Sequence, residues 1–544
     1  MEKLRLGGAF SVPGCQKETG MQRCGNMPGE QFSNTLFCAR LSEAAGQLYE
    51  RAISDMDAGV RNRFRYCRDS WISRNSVKRK ERLFLLQTNV AEEVLARAVS
   101  TGADFGEIYM EDQIGQSISL KSGRIETVTS GRSHGAGIRV FTGTQAIYAY
   151  TNDTSREGLL ACADKAAAAV NGGKGCKPEA FRVTHAERPE EIRQLPTDVR
   201  AAVKAEKLRE ADAAARAYSD EIVQVQVGYS DRVQDVLICN TEGTFVTDRR
   251  VYTRMNVSSV ASDGKENQSG SMSPGGLMGF EAFENRIDAA YCGREAARQA
   301  VTMLHAPACP AGVFPVVIDK GFGGVIFHEA CGHSLEATSV AYGISEFSGR
   351  LGEMIAAPCV TAIDDGTIMN EWGSTHVDDE GMPTGKLILI DHGRLVNYMI
   401  DKLGSRRMNM PPTGSGRRQN YAYAPTSRMR NTYIAAGEDD EEEMIASMGE
   451  GLYAKYMGGG SVNPATGEFN FAVREGYWVR DGKIVHPVRG ASLIGRGSDV
   501  ILKIDRVGKN CEQAQGMCGS VSGSIPVNVG QPMIRVSSLT VGGR

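Results

Sequence analysis

From about residue 86 onward, apolar positions recur at two different spacings. Asn89 followed three residues later by Glu92 is a helix-start signature, and Val90, Val94, Leu95 and Val99 supply an apolar stripe at helical spacing. Thr101-Gly102 ends that helix. Alternation then takes over in Ile118–Leu120, Ile125–Val128, Gly137–Phe141 and Ala146–Tyr150, which read as strands joined by Gly and Asn/Asp turns. An alanine-rich helix is expected at about 155–170, and the polar Gly/Lys/Pro stretch 171–197 reads as a linker.

A second block opens with helical spacing from Asp198 to Tyr218, alternates through Val223–Val227 and Val251–Val257, and closes with a helix near 284–304. Pro307 and Pro310 punctuate the entry to the last section, and residues 301–544 hold 35 of the 63 glycines. That density, with few long helical periods, implies a sheet-rich domain with many tight turns. The pattern predicts an α+β protein: an N-terminal region of antiparallel strands and helices over 86–306 (blocks 86–170 and 198–306), then a Gly-rich, sheet-dominated C-terminal domain over 307–544. The acid run Glu438–Glu443 suggests a cation site at first sight. Acids complementing the dipole in the first turn of a helix explain it better.

Composition narrows the picture. The chain has 544 residues, enough for three or four domains at about 150 residues each. Its 62 Lys plus Arg nearly balance 65 Asp plus Glu, against a protein built mainly to coat nucleic acid. The balance hides an asymmetry: residues 1–85 carry a net charge of +6 and residues 86–544 one of −9. Segment 1–85, with Arg61, Arg63, Arg65, Arg68 and Lys78-Arg79-Lys80, reads as a basic extension of solvated charge, a poorly ordered leader, or the product of a start placed too far upstream. It lacks the apolar run of a secretory signal, and no stretch approaches the roughly 18 apolar residues of a membrane span. Thirteen cysteines without a CxxC pair do not form a disulfide framework, so a cytoplasmic protein with reduced thiols is expected.

The chemistry concentrates where two of the eight histidines fall, in His328-Glu329-Ala-Cys331-Gly332-His333-Ser-Leu-Glu336. Phe314–Ile318 before it reads as a strand, Gly321, Gly323 and Gly324 as a turn, and the histidine run as a buried helix. The metallopeptidase spacing His-Glu-x-x-His sets its histidines about 40° apart around a helix, whereas an i to i+5 spacing gives about 140° on an ideal α-helix. His328 and His333 therefore share one ion only if the turn is widened, as in a π-bulge, or distorted near Gly332. Two helix histidines satisfied separately by backbone or carboxylate remain the alternative at this point.

This segment resembles the zinc signature of the TldD/PmbA family of metallopeptidases. The resemblance continues through Val377-Asp-Asp-Glu-Gly381, Arg417-Arg-Gln-Asn-Tyr421, Arg428-Met-Arg-Asn-Thr-Tyr433, Phe469-Asn-Phe471, Gly482–Val488, Met517-Cys518-Gly519 and Val541-Gly-Gly543. It covers roughly residues 88–544 in one register and leaves 1–85 outside. It implies a TldD-type, metal-binding subunit in which His328, His333 and Cys518 hold Zn2+, with a fourth position left for water. Glu336 is the rival third ligand, or else it orients a ligand from behind. Beside the metal, Glu329 is placed to take a proton from metal-activated water as general base and pass it to the leaving amine. Family members commonly carry Lys after Cys-Gly, where this chain has Ser520, so no oxyanion residue is assigned; Arg428, Tyr433 and His376 are candidates, though a structural role or a substrate-cleft contact fits each better.

The resemblance further implies proteolysis of unstructured peptides or unfolded proteins, such as peptide precursors and antitoxin-like proteins. It implies a dimer, often a heterodimer with a metal-free PmbA-type paralogue. An extended peptide is expected to pair with a sheet edge of the Gly-rich domain. The competing reading is a non-catalytic regulatory subunit that modulates DNA gyrase; the complete His328/Glu329/His333/Cys518 set and the −9 charge of residues 86–544 speak against it and against nucleic-acid binding. Gly131-Arg-Ser133-His134-Gly135 matches a serine-hydrolase elbow, but the strand expected after it is the wrong context, and no P-loop occurs.

Overall fold

The computed structural model describes residues 86–170, 172–186, 192–463 and 466–543. The basic segment 1–85 and the reading made of it lie outside the described residues. The N-terminal region forms one eight-stranded sheet from β1 (Phe105–Lys121), β2 (Arg124–Thr142), β3 (Gln145–Thr151), β4 (Arg182–His185), β5 (Ile222–Asn240), β6 (Thr244–Ser262), β7 (Asn267–Met272) and β8 (Gly275–Gly276). The order is β3-β2-β1-β5-β6-β4, with β7 and β8 also pairing β6. The 86–170 and 198–306 blocks thus join in a single sheet through the antiparallel β1–β5 ladder.

Two differences from the sequence pattern have physical reasons. The stretch 171–197 is not linker throughout, because Arg182–His185 adds to β6 in parallel as β4. β1 and β2 are also far longer than the short runs expected. Residues 105–111 of β1 are buried on both faces, so the polar/apolar alternation that marks a half-exposed strand disappears there. β2 runs unbroken through Gly131–Gly135, so the serine-hydrolase match sits inside a strand and forms no elbow.

Side chains alternate across a strand, and that alternation assigns the two faces of this sheet. Ile108, Met110, Ile118 and Leu120 pack with four helices, α1 (Thr88–Ala98), α2 (Arg156–Ala168), α3 (Ala201–Arg216) and α4 (Ala289–Leu304). The odd-numbered residues Glu107, Tyr109 and Glu111 face the C-terminal domain. There Arg139 pairs with Glu107 at 2.8 Å and Glu380 at 2.6 Å, Arg418 with Glu107 at 2.8 Å, and Arg250 with Asp379 at 2.7 Å. His376 joins this network through Asp248, 2.8 Å away. Buried ion pairs add little net stability, but a buried charge left alone costs about 3–5 kcal/mol, so this network fixes one docking geometry.

The C-terminal domain contains β9 (Gly312–Ile318), β10 (Ala362–Asp365), β11 (Lys386–Asp391), β12 (Arg394–Leu395), β13 (Gly416–Arg417), β14 (Thr426–Ser427), β15 (Asn431–Ile434) and β16 (Gly451–Val462). It continues with β17 (Glu468–Arg480), β18 (Lys483–Val488), β19 (Ser492–Arg496), β20 (Ile504–Val507), β21 (Glu512–Ser520), β22 (Gly523–Gln531) and β23 (Ile534–Gly542). A six-stranded sheet runs β12-β11-β10-β15-β22-β21, and a seven-stranded sheet runs β16-β9-β23-β19-β17-β18 with β20 on β23. β13 and β14 form a separate ribbon. One apolar core joins both larger sheets, with Val325, Ile326, Phe327, Ala330, Cys331 and Leu335 of the histidine segment inserted in it. The molecule is α+β, as the pattern indicates.

The acid run caps a helix. Asp440 accepts from Glu442 N and Glu443 N at the start of Glu441–Ala446, which puts the acids in the first turn. The nine described cysteines are free thiols. Among the described residues, no helix is long and apolar enough to cross a membrane.

Candidate metal centre

The histidine segment leaves β9 through a 3-10 turn at Gly321–Gly324 and a short α-helical piece, Val325–Phe327. Residues His328–Gly332 then form a π-turn, closed by a bond from His333 N–H to His328 C=O. This i to i+5 closure resolves the 140° problem, because residues five apart return to the same face of a widened turn. The imidazole centroids lie 5.1 Å apart.

Gly332 permits the close packing beneath this turn, since a Cβ there would lie 2.3 Å from Met429 Sδ. Gly332→Ala is expected to destabilise the protein by about 1–3 kcal/mol, the cost of overpacking a filled core, as measured by denaturant unfolding. A wild-type midpoint would show that Met429 has room to move.

Cys518 comes from the far end of the domain. It sits near the end of β21, opposite Ile525 of β22, in a hairpin whose return residue Gly523 has φ +89°. The hairpin carries the thiol onto the π-turn: Cys518 Sγ lies 3.4 Å from His328 Nε2 and 3.2 Å from His333 Nε2. His328 and Cys518 are buried, and His333 is only slightly exposed. Sequence reasoning named all three, and the structure brings them within 4.8 Å of one another.

The residues behind the imidazoles decide which nitrogens face the thiol. Thr432 Oγ1 lies 3.0 Å from His328 Nδ1, where it can accept Nδ1–H in the tautomer that leaves Nε2 for a metal. Glu336 Oε2, 3.3 Å from His333 Nδ1, does the same for the second ring. Of the two roles the sequence left open for Glu336, the geometry therefore matches the orienting one: it sits behind His333, with Oε1 accepting from Met429 N at 3.3 Å. Burial raises the Cys518 thiol pKa, but His328 and His333 outweigh that and bring it down to about 3. Burial disfavours charged His333, yet Glu336 and Cys518 push its pKa well above the usual value.

Two imidazole Nε2 atoms and a thiolate match a zinc donor set. Bonds of about 2.0–2.3 Å at tetrahedral angles separate ligand atoms by roughly 3.3–3.6 Å, close to the two sulfur–nitrogen distances in the protein. Soft sulfur with imidazole also selects against Mg2+ and Ca2+. Glu329 borders this point, with Oε2 3.8 Å from His333 Nε2 and its side chain 26% exposed.

The oxyanion candidates fall elsewhere. His376 belongs to the buried junction with the N-terminal sheet, and Tyr433 lies in β15 with its hydroxyl pKa pushed up to about 12, chiefly by burial. Arg428 donates to Cys518 C=O at 2.6 Å, behind the thiol. Sequence reasoning missed Thr432 and Met429, although both lie in the Arg428–Tyr433 motif it singled out. That motif supports the centre from below, with Arg428 on Cys518, Met429 on Glu336 and Thr432 on His328.

Residues 106–170, 194–304 and 311–543 match the models for PmbA/TldA metallopeptidase domain 1, central domain and C-terminal domain. A metalloprotease TldD homolog from Haemophilus influenzae is 37% identical over 449 residues, covering 81% of this chain and 93% of that one. A metalloprotease from Methanothermobacter thermautotrophicus is 34% identical over 432 residues, covering 78% and 93%. The crystal structure of a Thermotoga maritima protein described as a modulator of a DNA gyrase shares the fold, with TM-score 0.68 and 22% identity over 84% of this chain and 99% of that one. TldE from Thermococcus kodakarensis does so with TM-score 0.67 and 17% identity over 84% and 100%. With all three domain models matched in order and the curated relatives aligned over nearly their whole length, the chain belongs to the PmbA/TldD metallopeptidase family.

Proposed function

We propose that this chain is a zinc-dependent peptidase that hydrolyses unstructured peptides or unfolded proteins, with His328, His333 and Cys518 as ligands and Glu329 as general base. The observation that carries the proposal is the convergence of those three ligand atoms, with a partly exposed carboxylate at their side. Zinc, when bound, supplies Lewis acidity, lowering the pKa of a water to about 7 and polarising a carbonyl. Glu329 takes a proton from the attacking water and delivers it to the leaving amine, while Thr432 and Glu336 hold the imidazoles in the ligating tautomer.

The surroundings favour an extended substrate. β21 is the outermost strand of its sheet, and Met517 and Val521, close to Cys518, are 52% and 76% exposed. A peptide lying along that edge gains affinity from backbone bonds with little dependence on its side chains. Peptide precursors and antitoxin-like proteins are substrates of this kind. A dimer, in particular a heterodimer with a metal-free PmbA-type paralogue enclosing the site, belongs to the same proposal.

The test is metal analysis of the full chain with casein digestion, alone and with the paralogue. A tight chelator is expected to abolish digestion and stoichiometric zinc to restore it. A chain that takes up no zinc and cuts nothing in either setting would return the reading to a non-catalytic regulatory subunit.

A further inference from the structure

Arg428 is held differently from three of the other buried arginines. Arg139, Arg250 and Arg418 each contact a carboxylate at 2.6–2.8 Å, whereas the fully buried Arg428 spends its hydrogen bonds on the β21–β22 hairpin. Nη2 donates to Cys518 C=O at 2.6 Å, and Nη1 donates to Ser522 Oγ at 2.9 Å and Gly523 C=O at 3.0 Å. Nε has no hydrogen-bond partner and faces Glu336 Oε1 at 3.9 Å. A hairpin turn needs no buried cation to close it, and burying one is costly unless negative charge lies near. One negative group lies near, the Glu336 carboxylate.

We propose that Arg428 is a positioning residue for the metal centre, its one guanidinium clamping Cys518 on β21 to Glu336, the carboxylate that orients His333. The proposal rests on the reading that His328, His333 and Cys518 hold a metal. The two histidines come from one short segment, but Cys518 lies almost 190 residues further along the chain. The distance between thiolate and imidazoles is therefore set by whatever ties the hairpin to the π-turn. Arg428 reaches the backbone of the cysteine at one end and the carboxylate behind the histidine at the other. A rigid planar fork suits this better than a lysine, whose single ammonium does not span both groups.

The test compares the full-length protein with Arg428→Met and Arg428→Lys. It reads zinc affinity by chelator competition and the thiolate-to-metal charge-transfer band after cobalt substitution, alongside the thermal midpoint of each metal-free chain. Arg428→Met is expected to weaken zinc binding about 10–100-fold and to shift the cobalt band, with Arg428→Lys recovering part of the loss. In a Glu336→Gln background the loss is expected to shrink, because part of it runs through that carboxylate. Ser522→Ala removes one anchor of Nη1 and leaves the charge in place, so it serves if Arg428→Met does not fold. Its expected loss is about 2–10-fold, less than the full worth of a charge-assisted hydrogen bond because Nη1 keeps Gly523 C=O. A lowered midpoint with wild-type zinc affinity and an unmoved cobalt band, in Arg428→Met or, failing that, in Ser522→Ala, makes Arg428 a hairpin clamp only and overturns the proposal. A wild-type chain that takes up no zinc overturns the metal reading itself and this proposal with it.

Discussion

Cys518→Ala is expected to give a folded protein that no longer retains stoichiometric zinc. Changes behind a metal ligand cost about 10–100-fold in affinity, and removing a thiolate from the ion itself costs more. The fold should survive, because Cys518 contributes only a small side chain to a minor cluster with Ile525 and Val527, and the β21–β22 ladder is made by backbone. Removing the sulfur also removes the negative charge that helps keep His333 protonated in the metal-free protein. Inductively coupled plasma analysis of dialysed protein, with circular dichroism for the fold, reads the outcome. His328→Ala is expected to lose zinc equally. Full zinc in Cys518→Ala would hand the third position to Glu336, which would then have to release His333 Nδ1, and the assignment of the cysteine would fail.

Much of the fold was legible because its strands alternate and its helices carry apolar stripes, as in α1 and in Val251–Val257 of β6. The exceptions share a cause. β1 looks short in the sequence because Glu107 and Glu111 stand where a buried face would show apolar residues. Glu107 is satisfied by Arg139 of β2 and by Arg418, 311 residues away, and Glu111 by Tyr109, Gln234 and the Tyr421 backbone N–H, 310 residues away. No local pattern reports a partner so distant. The Val377–Gly381 and Arg417–Tyr421 motifs were visible as strings, yet their role in docking the two regions required the opposing sheet face. At the candidate site, His328, Glu329 and His333 are local and announce themselves. Their i to i+5 spacing even states the deformation required, and the π-turn at His328–Gly332 is that deformation. Cys518 was nameable only through the family resemblance, since a cysteine between glycines on an edge strand has no local mark of a ligand. Thr432 acts through geometry alone, and the sequence offered only the string that contains it.

Glu329→Gln is expected to retain zinc at wild-type stoichiometry while peptidase turnover falls about 10²–10⁴-fold, the usual contribution of a general base. Glutamine keeps the size and hydrogen-bonding shape of the side chain but cannot accept the proton that the attacking water must lose. Position argues for this role: Glu329 comes four residues before His333 on the π-turn, close enough for Oε2 to stand 3.8 Å from Nε2, yet its side chain is 26% exposed, open to water and substrate. Glu336, the other nearby acid, is 4% exposed and already spends both oxygens, on His333 and on Met429 N. It has neither a free lone pair aimed at a substrate nor access to one. The two acids should therefore separate in one experiment. Glu336→Gln should weaken metal binding about 10–100-fold and recover activity at saturating zinc, whereas no amount of zinc should rescue Glu329→Gln. Turnover by zinc-loaded Glu329→Gln within a factor of two of wild type would remove the carboxylate from the chemistry and leave it as a neighbour of His333.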